Sequence, residues 1–403
     1  MSGALSGVRL LDLSTVILGP WAAQTLGDMG ADVIKIEAPS GDTTRQLGPK
    51  RHANMSAMFL GSNRNKRSVV LDLQQPQGRE ALLRLVTTAD VLLHNFRPRV
   101  VQKLGLTYEV CAAQNPNLIY CATYGFRAAG PYRDKPAYDD IIQAACSAAA
   151  LQTVVAGEPR YLPTVVADKT TSMAVVQAIL AALFHRERHG GGQSIEVPMF
   201  ETLVSFIMVE HLYGESFVPP IGKTGYERLL NPHRRPYKTK DGYLAVLPYT
   251  DENWQAFFTL AGRDDLLQDS RFQTLASRLA NIETLYGLLA EIVATRTSAE
   301  WQAMLDAANV PVMVVNTPER LLDDPQLAAS GFWHFVEHPT EGRLRLCDPP
   351  IRFSNTPSTI RQLPPLLGEH SVAVLTEAGY SHDEIAAMIA AGVTKLPDAA
   401  PEP

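Results

Sequence analysis

Cysteine is scarce in this chain: there are four in 403 residues, Cys111, Cys121, Cys146 and Cys347, with no C-x-x-C pair and no flanking histidine. That spacing argues against a disulfide framework and a zinc site, and predicts reduced, buried thiols and no metal. Charge is thin as well, 19% of residues with a net charge of −6, and no run of basic residues could follow a phosphate backbone or a lipid surface. Nucleic acid and membrane are therefore not expected as partners. No stretch approaches 18 uninterrupted apolar residues, and the opening MSGALSGVRLLDLS has no basic stretch leading into an apolar one, so the expected location is the cytoplasm. What the chain has in quantity is apolar material, 46% of residues, which at this length predicts two or three domains.

Taken in order, residues 8–14 read as a short strand, Gly19-Pro20 as a break, 21–29 as a helix and 31–37 as a second buried strand. The alternation continues with strand 67–73, helix 77–87, strand 90–96, helix 108–114 and strand 118–124. Strands alternating with helices predict a largely parallel sheet covered on both faces, with ligands gathered at the carboxyl ends of its strands. The first turn lacks G-x-G-x-x-G, so NAD is not expected. Three strand ends carry unusual residues: Val16-Ile17, His94-Asn95-Phe96-Arg97 and Gly125-Phe126. Asn95 and Arg97 beside an aromatic suit a purine ring and a phosphate, though a polar loop with a helix cap has the same composition.

A helix is expected from about Tyr138, with Ala144, Ala145, Ser147 and Ala148 small enough to let another backbone approach. Met173, Val176, Ala178, Ile179, Ala182 and Leu183 then recur at helical spacing and predict a helix to about His185, with Asp168 near its N-terminal cap. Gly190-Gly191-Gly192 reads as the helix C-cap and a turn into strand 194–197, since no Lys-Ser/Thr follows to make a phosphate loop. Prolines at 219, 220, 232 and 236 mark a linker into a smaller α+β domain, residues 219–325. Its expected parts are a hairpin at 237–248 turning on Asp241-Gly242, helices at 251–261, 282–295 and 298–308, the last with a capping box one residue out of register, and a strand at 310–315. Residues 1–218 make the large Rossmann-like domain, and 326–396 return to it with strands 333–338 and 343–353 and helices 370–378 and 382–391. The tail, 397–403, reads as disordered.

The segments LLDLSTVILGPWAAQTLGDMGADVIKIE, NKRSVVLDL, ADVLLHNFRPRVVQKLGL, GPYRDKPAYDDIIQA, VVADKTTSMAVVQAILAALFHRERHGGGQSIEV, RFQTLASRLAN and LLGEHSVAVL, in this order and spacing, resemble the family III coenzyme A transferases of CaiB/BaiF type. The resemblance implies an α/β chain with a Rossmann-like large domain and a smaller α+β domain, and a homodimer whose subunits interlock like links of a chain. It implies acyl-CoA and a carboxylic acid as substrates, with coenzyme A as substrate and no permanently bound cofactor. Asp168, in the Ala167-Asp168 pair, would be the nucleophile: its carboxylate attacks an acyl-CoA carbonyl to give a mixed anhydride, the thiolate then makes an aspartyl-CoA thioester, and the acceptor carboxylate reverses the sequence. The implied CoA contacts are Val16, Ile17, Leu71, Asp72, Leu73, Asn95, Phe96, Arg97, Lys103, Lys135, Tyr138 and Asp139.

Three departures separate the chain from the formyl-CoA transferase branch. Ile17 stands for a glutamine, Ala38 for an arginine, and Asn231-Pro-His-Arg-Arg235 for a glycine-rich loop, which disfavours oxalate as acceptor. His233, Arg234 and Arg235 are candidates for holding a distal carboxylate. A racemase of the same fold is the alternative, but it needs a Gly-His-Asp motif where this chain has Ala137-Tyr138-Asp139, and tyrosine is a poor base for an alpha proton. A catalytically silent CoA-binding paralogue is the other alternative.

Overall fold

The computed structural model describes residues 3–397, so all of the expected tail but Pro397 lies outside the described residues. The chain divides into two units. The first holds the described residues up to Ala149, Tyr161–Ile207 and the described residues from Ala328; the second holds Ala150–Arg160 and Met208–Leu327. The observed division at Ile207/Met208 falls inside a helix, Met199–His211, rather than at the proline-rich stretch beyond it.

The first unit is built on a six-stranded sheet: β1 (Arg9–Asp12), β2 (Asp32–Glu37), β3 (Lys66–Val70), β4 (Val91–His94), β5 (Ile119–Tyr124) and β6 (Gln193–Pro198). Every pair is parallel and the order is β3-β2-β1-β4-β5-β6. The order reverses between β1 and β4, and such a switch point opens a crevice at the carboxyl ends of the two strands. Its helices are α1 (Leu18–Asp28), α2 (Ala57–Ser62), α3 (Pro76–Val86), α4 (Pro98–Leu104), α5 (Tyr108–Gln114), α6 (Asp139–Ala145) and α9 (Val166–His189); α7 (Ala148–Leu151) and α10 (Met199–His211) cross the division, and α8 (Thr153–Ala156) belongs to the second unit. An apolar cluster that includes Leu11, Ile34, Ile36, Val69, Leu82, Leu85 and Leu92 fills one side of the sheet.

Several expectations shift. Helix α1 starts at Leu18, so Gly19-Pro20 lies in its first turn, where a missing N–H is harmless because helix starts leave those donors free. The small-residue stretch after Tyr138 is not one helix: Ser147 at φ 75° breaks it between α6 and α7. Helix α9 starts before Asp168, and Met173 is exposed while Thr171, Ser172, Val175, Val176, Ile179 and Ala182 are buried. The stretch is apolar on several sides, so spacing alone misplaces its inner face. Helix α9 is long and apolar enough to cross a membrane, but it packs against α1, α6, β5 and β6. Gly190 caps it at φ 74°, as the triple glycine predicts. Cys111, Cys121 and Cys146 are buried and Cys347 is exposed; all four are free thiols.

The second unit contains an antiparallel sheet of β7 (Tyr237–Lys238), β8 (Tyr243–Val246) and β9 (Val312–Val314), packed with α11 (Asp251–Ala261), α12 (Asp264–Leu267), α13 (Leu275–Ala280), α14 (Ile282–Val293) and α15 (Ser298–Ala307). Trp254, Phe257, Phe258, Phe272 and Trp301 make its core aromatic. The capping box of α15 is Thr297 with Glu300, the one-residue shift that the sequence requires. In the first unit's final segment, β10 (Trp333–His338) pairs with β11 (Gly342–Cys347), shorter than the expected 343–353 strand, and α16 (Ser371–Glu377) and α17 (His382–Ala390) follow.

Candidate active site

At the switch point a cavity of about 320 Å³ is lined by the turn after β1 (Thr15, Val16, Leu18), the turn after β4 (Asn95, Phe96, Arg97) and the end of β5 (Thr123, Tyr124, Gly125), with Lys135, Tyr138, Asp168 and Met199 closing it. These are the three strand ends that stand out in the sequence. Gly125 is needed for close approach, because a Cβ there would sit 2.3 Å from that of Ala137. Asp168 is the only carboxylate among the described lining residues, and Arg97 and Lys135 are the only basic groups.

Asp168 is not the cap of its helix; it is itself capped. It occupies the third position of α9, after N-cap Val165, which has no capping side chain. Its N–H donates instead to Asp139 Oδ1 at 3.0 Å, so a carboxylate from the start of α6 satisfies one of the donors that a helix leaves free. Asp139 Oδ2 accepts from Gln143 Nε2 at 2.5 Å, and Gln143 Oε1 accepts from Leu162 N at 2.8 Å, which ties the approach to α9 onto α6. Burial, together with the neighbouring Asp139 carboxylate, pushes the Asp168 carboxyl up to about 7, against a smaller opposing effect of Lys169.

A half-buried carboxylate at a helix start, facing a cavity that also presents two cations, is equipped to attack an electrophilic carbonyl whose leaving group is carried by an anion. The family model for CoA-transferase family III matches residues 5–371 of the chain. The chain belongs to CoA-transferase family III. It is 36% identical over 392 residues to a succinate–glutarate CoA-transferase of Agrobacterium fabrum, covering 93% of this chain and 95% of the relative. It is 31% identical to a formyl-CoA:oxalate CoA-transferase of Shigella sonnei, covering 96% and 99%. The crystal structure of a CaiB/BaiF family protein from Brucella suis superposes with a TM-score of 0.80 at 33% identity, covering 94% of this chain and all of that one. This family III chain is accordingly a CoA-transferase with the α/β fold of that family.

Of the contacts that the family resemblance implies, the cavity brings together Val16, Asn95, Phe96, Arg97, Lys135 and Tyr138 with Asp168. Among the described residues Arg97 Nη1 reaches the Asp134 carbonyl, at 3.4 Å, and Lys135 Nζ sits 3.8 Å from the centre of the Tyr132 ring. The amide of Asn95 is not free for a ligand: it accepts from Thr15 N at 3.1 Å and donates to Thr15 O at 2.9 Å, so it shapes the turn after β1. Ile17 is buried as the N-cap of α1 and does not line the cavity, nor does Asp139, whose two oxygens are engaged behind Asp168. Leu71, Asp72 and Leu73 lie past the end of β3, where Asp72 Oδ1 and Oδ2 accept from Gln74 and Gln75. Lys103 is exposed in the last turn of α4.

Arg234 and Arg235 line a different cavity, of about 240 Å³ within the second unit, with Tyr237, Trp254 and Tyr286. His233 Nε2 is 3.8 Å from Glu283 Oε1. Sequence reasoning missed Asp42, Thr43, Gln143 and Met199; the Gly41-Asp42 pair after β2 is the one local signal for the first two.

Proposed function

We propose that the chain moves coenzyme A from an acyl-CoA donor to a carboxylic acid through Asp168, by way of an aspartyl mixed anhydride and an aspartyl-CoA thioester. The observation that carries the reading is the lone carboxylate in a cavity at the sheet's switch point. In the first half-reaction Asp168 Oδ attacks the acyl-CoA carbonyl as the C–S bond breaks, and the thiolate then attacks the aspartyl carbonyl of the anhydride, releasing the donor's carboxylate and leaving an aspartyl-CoA thioester. In the second the acceptor carboxylate attacks that thioester, the thiolate leaves, and its attack on the acceptor's acyl carbonyl releases the new acyl-CoA and free Asp168. Arg97 and Lys135 supply positive charge for the phosphates of CoA, Phe96 and Tyr138 supply ring faces, and Val16 and Asn95 shape the floor. Ile17, Leu71, Asp72, Leu73, Lys103 and Asp139 act, on this reading, through the shape and charge of the surroundings.

Arg234 and Arg235, with His233 beside them, make a candidate carboxylate-binding site in the second unit's own cavity. Neither guanidinium has a carboxylate partner among the described residues, and bidentate recognition of a carboxylate suits arginine. We assign a cytoplasmic homodimer to the enzyme. Phe206, Val209 and Val218, respectively 61%, 83% and 97% exposed in the single chain, are apolar surface of the kind that a large obligate interface covers.

A screen of carboxylic acids against succinyl-CoA and acetyl-CoA, read as new CoA thioesters by mass spectrometry, tests the reading. Transfer by the wild type and none by Asp168→Asn is the expected result. Exchange of the alpha proton with deuterated solvent and no transfer would favour the racemase alternative, although no histidine is among the described lining residues and His94 lies buried and outside the lining.

A further inference from the structure

We propose that Asp42, braced by Lys35, is a positioning residue for the transfer reaction: it holds the strained Thr15–Val16 turn that forms one wall of the Asp168 cavity. The inference rests on the reading of that cavity as the transfer site. Val16 sits at φ 72°, a conformation that β-branched residues avoid and that persists only where the surroundings over-determine it.

Here the side chains of Lys35, Asn95 and Asp42 take four backbone groups of the turn. Lys35 Nζ donates to Ser14 O at 3.0 Å, Asn95 pairs with both the N–H and the carbonyl of Thr15, and Val16 N–H donates to Asp42 Oδ1 at 3.2 Å. Asp42 Oδ2 in turn accepts from Lys35 Nζ at 2.9 Å, with both side chains fully buried. The N–H of Asp42 donates to Glu37 Oε2 at 3.1 Å, and Glu37 is held by Arg45 through two contacts of 2.7 Å. The turn therefore rests on a chain of buried ions, and it leads into α1, whose first residue, Leu18, also lines the cavity. Misplacing such a wall by an ångström is enough to lower the rate of a reaction that depends on alignment.

Asp42 has a second task, because it also caps the short 3-10 segment Thr43–Gln46, accepting from Thr44 N at 2.9 Å and Thr44 Oγ1 at 2.8 Å. The test must separate the two. Asp42→Asn should lower kcat roughly 10- to 100-fold with KM for acyl-CoA within about threefold, while Thr44→Val, which weakens the cap and leaves the Val16 contact, keeps wild-type kcat. Wild-type kcat in Asp42→Asn, or an equal loss in Thr44→Val, overturns the proposal. If Asp42→Asn does not fold, amide exchange in the wild type decides: Thr15 and Val16 should exchange as slowly as β1, and complete exchange within seconds overturns it. Asp168→Asn serves as the reference. Full activity in that variant would remove the transfer-site reading itself, whereas an inactive Asp168→Asn beside a fully active Asp42→Asn removes only the positioning role.

Discussion

The two faces of β2 solve different problems. Ile34 and Ile36 point into the apolar cluster with Leu11, Val69 and Leu92, while Lys35 and Glu37, the alternate residues, enter a buried network of ions with Asp42 and Arg45. Neighbouring β1 and β3 add a fully buried Asp12–Lys66 pair at 2.9 Å, and Lys66 also donates to Pro20 O and Asn63 Oδ1. Burying ions costs several kcal/mol each and is repaid only by complete pairing, so the charged face is a poor source of stability compared with the apolar one. Burial pushes the Lys66 ammonium down to about 8 despite the nearby Asp12. What the charged face supplies is geometry, since its members grip the backbone of the turn after β1, whereas the apolar face meets the site only through the packing of Phe96 and Tyr124.

Substitutions sharpen the contrast, beginning with the largest expected effect. Asp168→Asn should lower turnover by at least about 10³-fold, as loss of a nucleophile does, with the fold intact by circular dichroism. Lys35→Met leaves Asp42 buried without its cation and should destabilise the protein by about 3–5 kcal/mol in urea titrations, and the fraction that folds should also turn over more slowly. Ile34→Ala, on the opposite face, should destabilise by about 2–5 kcal/mol and leave turnover per folded molecule unchanged. Equal turnover losses per folded molecule in these two variants would erase the distinction between the faces.

A smaller effect follows from Asp168 itself. Only its ionised form attacks, so log kcat/KM should rise with pH and level off above about 7. The sign for stability is opposite. A carboxyl raised above its unfolded value binds its proton more tightly in the folded state, so folding is penalised as pH climbs from about 4 through 7. Asp168→Asn should therefore be more thermostable than the wild type at pH 8, with the difference fading toward pH 4. Lys135→Gln should change least, a severalfold rise in KM for CoA that high salt diminishes, since Lys135 is exposed.

The alternation of strands and helices was legible because covered parallel strands are short apolar runs, and with it came the three strand ends that line the cavity. Asp168 was legible only as an acid near a helix start, and its role as nucleophile entered through the family resemblance. Its surroundings were not: the Asp139 carboxylate that caps it comes from 29 residues away, and Asn95 finds Thr15 at a separation of 80. Lys35 reads in sequence as a lone interruption of an apolar strand, and only pairing across the sheet end shows its counter-ion. Helix α10, MFETLVSFIMVEH, is apolar on most sides and offers no periodic polar face, which is why it escaped assignment.

The central claim, that Asp168 carries the transferred group, is tested most directly by incubating the wild type with succinyl-CoA and no acceptor, quenching, and mapping peptides by mass spectrometry. The account predicts a CoA or succinyl adduct on the peptide containing Asp168, discharged by adding an acceptor carboxylate and absent in Asp168→Asn. Acceptor-dependent turnover with Asp168 unmodified at every time point, and preserved in Asp168→Asn, would contradict it.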